Sequence, residues 1–258
     1  MEYLIKDVIK IIEDFAPLSL QSSYDNCGLK CGDVNNKLTG VLITLDTNEV
    51  IVNEAISLGC NLIIEHHPSI FKSIKSIEIN KSTNRALINA AYNEICIYSA
   101  HTNIDFTKDG LNDYVCEIMA LKNIHKIDTD DSPRIGVLNE DKSLKDYIGI
   151  LKLLFNDKNC YSVGRLDKNI HTVAVVNGGG GGSEEDMIKS FNNGADVFVS
   201  GDFKYNVLRL AKDNDYAIIC IGHYNMEIYF IDLIYKILTN KIDFKRIFKT
   251  SKLLNPCN

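Results

Sequence analysis

The sequence predicts an α/β protein built from two similar lobes. Three observations carry this expectation. Short apolar runs alternate with amphipathic helical stretches, the pattern of βαβ units with largely parallel strands. The order of elements and of polar residues in the first half recurs in the second. Both halves also finish on a His-x-Asn-x-acid segment, His101-Thr102-Asn103-Ile104-Asp105 and His223-Tyr224-Asn225-Met226-Glu227. Ligands of open α/β sheets bind at the carboxyl ends of strands. The repetition therefore predicts two sets of strand ends facing a shared cleft, with a chance likeness as the alternative.

Residues 1–15 carry apolar side chains at positions 4, 5, 8, 9, 11, 12 and 15 and acids at Glu2 and Asp7. That is the stripe of an amphipathic helix, and it differs from the basic-then-apolar layout of a signal peptide. The helix ends before Pro17, and a turn-rich stretch comes next at Tyr24-Asp25-Asn26-Cys27-Gly28-Leu29. Residues 40–45 read as a buried strand. Residues 47–58 read as a helix capped by Thr47 or Asn48 and stopped by Gly59. The strand 61–64 runs into Glu65-His66-His67-Pro68. A helix over 82–93 precedes the strand 95–99, which ends at His101.

Residues 107–141 are polar and rich in Asp and Lys, which places a lobe boundary near 125–135. The first lobe is then 1–125 and the second 126–258, with a C-terminal helix free to pack back on the first. The second lobe reads as a helix over 143–155, a strand over 171–176, five glycines at 178–182, and a helix capped by Ser183 with Asp186 three residues on. A strand at 196–200 runs into Gly201-Asp202, and a strand at 216–221 ends at Gly222-His223. One long helix is expected from about Met226 to Leu238.

Composition excludes several function classes. The chain has 258 residues, with 28 Lys+Arg against 34 Asp+Glu, a net charge of −6. Bulk charge therefore argues against a nucleic-acid partner. A basic group at Lys241, Lys245, Arg246 and Lys249 reads as a solvated helix face or the end of the last helix. No run of 18 apolar residues exists, so no membrane helix is expected. A cytoplasmic protein is expected, and its eight scattered cysteines are then reduced packing residues.

Four of the six histidines lie just after a strand: His66, His67, His101 and His223. Two of them have a carboxylate four residues on, Asp105 and Glu227, a spacing that shares one face of a helical turn. Neighbouring residues on a regular strand point to opposite faces. His66 and His67 therefore converge only if the chain turns at Pro68; otherwise each serves a different metal. Four imidazoles and two carboxylates exceed what one catalytic zinc ion takes. They divide over two divalent ions, with a carboxylate bridging. Nitrogen and oxygen donors without thiolate suit Zn, Mn or Fe(II). Asn103 and Asn225 are candidates to orient these ligands. Asp202, Lys204 and Tyr205 come after a strand end and are candidate polar or proton-transfer helpers, with a solvated loop as the alternative. The glycine run lacks the Gly-Lys-Ser/Thr of a P-loop. Three acids, Glu184, Glu185 and Asp186, come after it and would repel a phosphate. It reads as a close backbone approach to the facing lobe or a flexible loop.

At these residues the sequence resembles the NIF-three-like dinuclear-metal proteins, also known as GTP cyclohydrolase I type 2 homologues. The resemblance runs through Tyr24-Asp25-Asn26-Cys27-Gly28-Leu29, Glu65-His66-His67-Pro68, His101-Thr102-Asn103-Ile104-Asp105 with Gly110-Leu111-Asn112-Asp113, the glycine run, Gly201-Asp202-Phe203-Lys204-Tyr205, and Gly222-His223-Tyr224 with Glu227. It implies two interlinked α/β lobes with two divalent ions in the cleft, held by His66, His67, His101, Asp105, His223 and Glu227. It also implies a ring-shaped homohexamer whose sites face an internal cavity. Tyr24 stands where the family usually has Trp, and Asn206 where a His often follows Lys-Tyr. The expected function is a dinuclear metal-dependent hydrolase of a small nucleotide-like substrate. For GTP ring opening, activated water would attack C8 and release formate. The same ligands suit phosphoester or amide hydrolysis. The rival expectation is a non-catalytic metal-binding or metallochaperone-like protein, or a hexameric scaffold.

Overall fold

The structure, a computed structural model, describes residues 2–128, 133–252 and 255–256. The chain divides into two compact units, residues 1–107 with 230–258, and residues 108–229. It thus passes into the second unit and returns. The boundary expected near 125–135 is corrected to 107/108 and 229/230; residues 129–132 of that stretch lie outside the described residues. The cause is helix α5 (Leu111–Ile118). Its Asp113 is bonded to Arg134 on strand β6 (Arg134–Ser143), and β5 (Lys122–Lys126) pairs antiparallel with β6. Residues 108–126 therefore belong to the second unit.

The first unit is a five-stranded sheet in the order β1 (Gly28–Cys31), β4 (Cys96–Ser99), β3 (Leu62–Glu65), β2 (Val41–Thr44), β11 (Ile247–Lys249). All its pairings are parallel except that of β1 with β4. Strands β2, β3 and β4 are buried throughout, which accounts for their unbroken apolar runs. Helix α2 (Glu49–Leu58) starts where the Asn48 side chain accepts from the N–H groups of Val50 and Ile51. It ends at Gly59, whose φ of 64° is left-handed. Helices α2 and α3 (Ser82–Tyr92) cover the sheet through Ile51, Val52, Ala55, Ala86 and Ala90, packed with Leu42, Ile63 and Ile97. Helix α1 (Ile5–Phe15) packs against α10 (Phe230–Lys241).

The register explains where the site residues emerge. Thr44, Glu65 and Ser99 are direct neighbours across β2, β3 and β4. The residues just beyond them, Asp46, His66, His67 and His101, therefore leave the sheet at one edge.

The second unit has a six-stranded sheet in the order β5, β6, β8 (Asn169–Val175), β9 (Val197–Ser200), β10 (Ala217–Cys220), β7 (Tyr161–Val163). Its centre, β8 to β10, is parallel, and its flanks are antiparallel. Helices α7 (Glu184–Asn192) and α8 (Tyr205–Asp213) cover it through Met187, Val207 and Ala211, packed with Ala174, Phe198 and Ile218. The parallel strand–helix–strand–helix–strand order thus occurs in both units, each with polar residues after its strands. Helix α6 (Leu144–Leu154) is capped by Ser143.

Two further expectations are corrected. The single helix from Met226 to Leu238 is two helices, α9 (His223–Glu227) and α10, separated by a turn at Ile228 and Tyr229. The basic group is not a helix face: only Lys241 lies in α10. Arg246 donates to the carbonyls of Thr39 and Leu58, while Lys245 and Lys249 pair with Asp243 and Asp232. Among the described residues no helix is long and apolar enough to cross a membrane.

Candidate metal centre

In the first unit, the N–H groups of His66 and His67 both donate to the Leu45 carbonyl, at 3.1 and 3.0 Å. Sharing one acceptor forces the turn that lets adjacent side chains converge. One ligand atom each of His66, His67 and His101 lie within 4.8 Å of one another. Asp105, on the helical turn α4 (Thr102–Phe106), places Oδ1 3.8 Å from His66 Nε2. Phe230 stacks at a tilt on the fully buried His66 ring, with centroids 4.8 Å apart.

In the second unit, His223 Nε2 lies 2.7 Å from Glu227 Oε2, the i to i+4 pair of α9. Glu227 is buried. The six predicted ligands thus fall as four in one unit and two in the other.

Each of the four rings is held through its other nitrogen. His66 Nδ1 lies 2.9 Å from the Ala100 carbonyl. His67 Nδ1 lies 2.8 Å from Asp46 Oδ1, His101 Nδ1 2.9 Å from Asp25 Oδ1, and His223 Nδ1 2.6 Å from Asp202 Oδ2. Carbonyl and carboxylate oxygens only accept, so Nδ1 carries the proton in all four rings. In the neutral ring the lone pair is then at Nε2, which faces Asp105 in His66 and Glu227 in His223. This outer layer is how metal-ligating histidines are oriented. The donor set, four Nε2 atoms and two carboxylates, fits divalent Zn, Mn or Fe(II).

Asp25 is the most strongly tied of the outer carboxylates. Burial by itself pushes its carboxyl up. Hydrogen bonds from His101 and from the Thr102 N–H and hydroxyl hold it well below the usual carboxylate range. It is therefore an anion beside His101. Glu65 behaves differently: burial raises its carboxyl, against the pull of the Ser69 N–H and the Ser99 hydroxyl, both on Oε1. It braces the His66-His67 turn from beneath. Burial pushes the Cys27 thiol up to about 11, so it is protonated at neutral pH. Cysteine takes no part in the ligand groups found among the described residues.

Several candidate roles are reassigned. Asn103 does not orient a ligand; it is buried and donates to the Ala16 carbonyl, tying α4 to the end of α1. Asn225 donates to the carbonyls of Phe155 and Asn156. Of the three proposed helpers, Asp202 holds His223. Lys204 lies with its side chain beside Gly182, and Tyr205 is exposed at the start of α8. Asn206 donates to Glu184. Asp25 and Asp46 are not among the candidate site residues read from the sequence, although Asp25 lies within the matched turn-rich motif and Asp46 comes just after the end of β2.

The glycine run is a 3-10 helix over Gly178–Gly182, and its close approach is to its own unit. A Cβ on Gly178 would land on the Glu227 carboxylate, and φ there is +56°. The Gly178 carbonyl accepts from the N–H groups of Gly201 and Asp202, so the backbone cannot step aside. Gly178→Ala is expected to keep the fold at a cost of about 1–2 kcal/mol for the left-handed residue. It should also displace Glu227 and weaken metal binding. Gly179→Ala meets only an ordinary contact, 3.7 Å to the His223 ring, and should bind metal like the wild type. Equal metal affinity for the two variants, read by calorimetric titration, would remove this role for Gly178.

Comparison with known proteins gives the chain a family. The family model Duf34/NIF3 (NGG1p interacting factor 3) matches residues 3–253. A Clostridium acetobutylicum protein named GTP cyclohydrolase 1 type 2 homolog is 34% identical over 234 residues, 88% of this chain and 86% of its own. The crystal structure of a Staphylococcus aureus hypothetical protein superposes with a TM-score of 0.89 at 26% identity, covering 96% of both chains. A Bacillus cereus protein related to NIF3 gives 0.91 at 23% identity over 98% of both chains, a likeness of fold. On the extent of the family match and the identity to the clostridial relative, this chain belongs to the Duf34/NIF3 family.

Proposed function

We propose that this protein is a divalent-metal-dependent hydrolase acting on a small nucleotide-like substrate. His66, His67, His101, Asp105, His223 and Glu227 together hold two divalent ions, with ligands drawn from both lobes. The observation that carries this reading is that all four rings are held through Nδ1 by an oxygen acceptor. Three carboxylates and one carbonyl each face an Nδ1 at hydrogen-bond distance, leaving every Nε2 directed away from its anchor, which is how metal-ligating rings are set. The names of the relatives support a nucleotide as substrate.

Divalent ions in such a site supply Lewis acidity and activate water for attack at neutral pH. The chain's own part is positional. Asp25, Asp46 and Asp202 keep the Nδ1 protons in place and fix the ring planes. Glu65 and the Leu45 carbonyl hold the turn that aims His66 and His67. The buried Glu227 keeps its carboxylate against the Gly178 backbone.

Metal analysis of the purified protein tests the reading, together with a hydrolysis screen of GTP and other nucleotides with Zn, Mn and Fe(II) restored separately. About two ions per chain and metal-dependent turnover are expected. Two ions with no turnover of any nucleotide would favour the metal-carrier or scaffold reading. The homohexamer is part of the same proposal, and light scattering should then give six times the 29.0 kDa chain mass.

A further inference from the structure

Beside the histidine group of the first unit lies a pocket of about 410 Å³ that the metal ligands do not account for. Its volume is within the range of small-molecule sites. The lining comes from residues 69–76 and from the start of α3. It includes Phe71 and Ile74, both 43% exposed, and the three lysines Lys72, Lys75 and Lys81, but no Asp or Glu. In a chain of net charge −6 that is a local reversal of sign. Lys81 is paired with Glu78 at 2.8 Å. Lys72 and Lys75 make no ion pair among the described residues.

Two further features point the same way. Helix α3, of 11 residues, opens with Lys81 as its N-cap and no side-chain cap. Its first turn, with Thr83 and Asn84 in the pocket lining, adds the positive end of the helix dipole. Phe71 sits edge-on to His101, with ring centroids 6.2 Å apart at 83°. The neighbouring Ile70 carbonyl is held by Asn26 Nδ2 at 2.5 Å. One side of the pocket is thus fixed beside a candidate metal ligand.

We propose that this pocket binds a phosphorylated small molecule with a planar ring. Lys72, Lys75 and the α3 N-terminus take the phosphate, and Phe71 packs on the ring. Its role as a substrate subsite rests on the hydrolase reading; the binding itself does not.

The test uses the full chain, metal-loaded and metal-stripped, titrated calorimetrically with GMP, ribose 5-phosphate and inorganic phosphate. The variants are Lys72→Ala/Lys75→Ala, Phe71→Ala and Phe71→Tyr. Removing the two lysines should weaken GMP by about tenfold or more, the scale of lost charge-assisted bonds, and should reduce the salt dependence of binding. Phe71→Ala should weaken GMP by about tenfold, the scale of a lost stacking partner. It should leave inorganic phosphate unchanged, and Phe71→Tyr should restore GMP binding. Metal content should be equal in all variants. Failure of wild-type protein to bind GMP, or equal GMP affinity in the wild type and the lysine variant, overturns the site. Lysine-dependent binding to protein that takes up no metal keeps the site and instead removes the hydrolase reading.

Discussion

Proteins carrying His67→Ala or Glu227→Ala are expected to lose bound divalent metal and hydrolytic turnover together, with far-UV circular dichroism unchanged. The two positions test the two lobes separately. The His67 side chain is 29% exposed, so trimming it should cost little stability. Glu227 is buried against His223 and Gly178, so Glu227→Gln is the companion that keeps the volume and removes the charge. A graded effect is expected one layer out. Asp25→Asn keeps the shape beside His101 but removes the charge that anchors its Nδ1 proton, and should lower metal affinity about 10–100-fold. Full metal content in His67→Ala and Glu227→Ala would end the proposal that both lobes supply ligands. Full turnover by metal-stripped wild type would end the hydrolase mechanism.

The largest stability effect is expected at Asp113→Ala. Arg134 is fully buried. Its guanidinium is held by Asp113 through Nε to Oδ1 at 2.5 Å and a second nitrogen to Oδ2 at 3.2 Å. Removing the carboxylate takes this counter-charge from a buried cation, a change that costs about 3–5 kcal/mol. Because α5 is held to β6 through this pair, the loss should loosen the start of the second unit first. Asp113→Ala/Arg134→Met should recover much of the cost, since an apolar replacement of a buried pair is often near neutral. Denaturant unfolding of the four proteins of this cycle gives the coupling. A cost near zero for Asp113→Ala would show that the pair does not hold the element.

The sequence was most informative where structure is local. Asn48 and Gly59 bound α2 through bonds made within a few residues, and Ser143 and Ser183 do the same for α6 and α7. The strand-end histidines were legible because a strand, its terminus and its ligand are contiguous. What escaped depends on distant partners. Asp25 and His101 are 76 residues apart, and the β1–β4 pairing brings their segments together. Strand β11 has three residues and exists because β2 lies beside it. Helix α5 was hidden in a polar stretch whose meaning came from Arg134. The break between α9 and α10 falls where the chain changes unit, a boundary that helical periodicity does not report.

That return of the chain sets an order of events during synthesis. Residues 108–229 form a contiguous unit and can complete their sheet as soon as they leave the ribosome. The first unit cannot, although it is begun earlier. Its edge strand β11 pairs with β2 across about 200 residues of sequence, and α10, which supplies Phe230 against His66, is also made late. The histidine group of the first unit is therefore completed only after the whole second unit has been translated. Nascent chains halted before residue 230 should resist protease over 108–229 and be cut within 1–107.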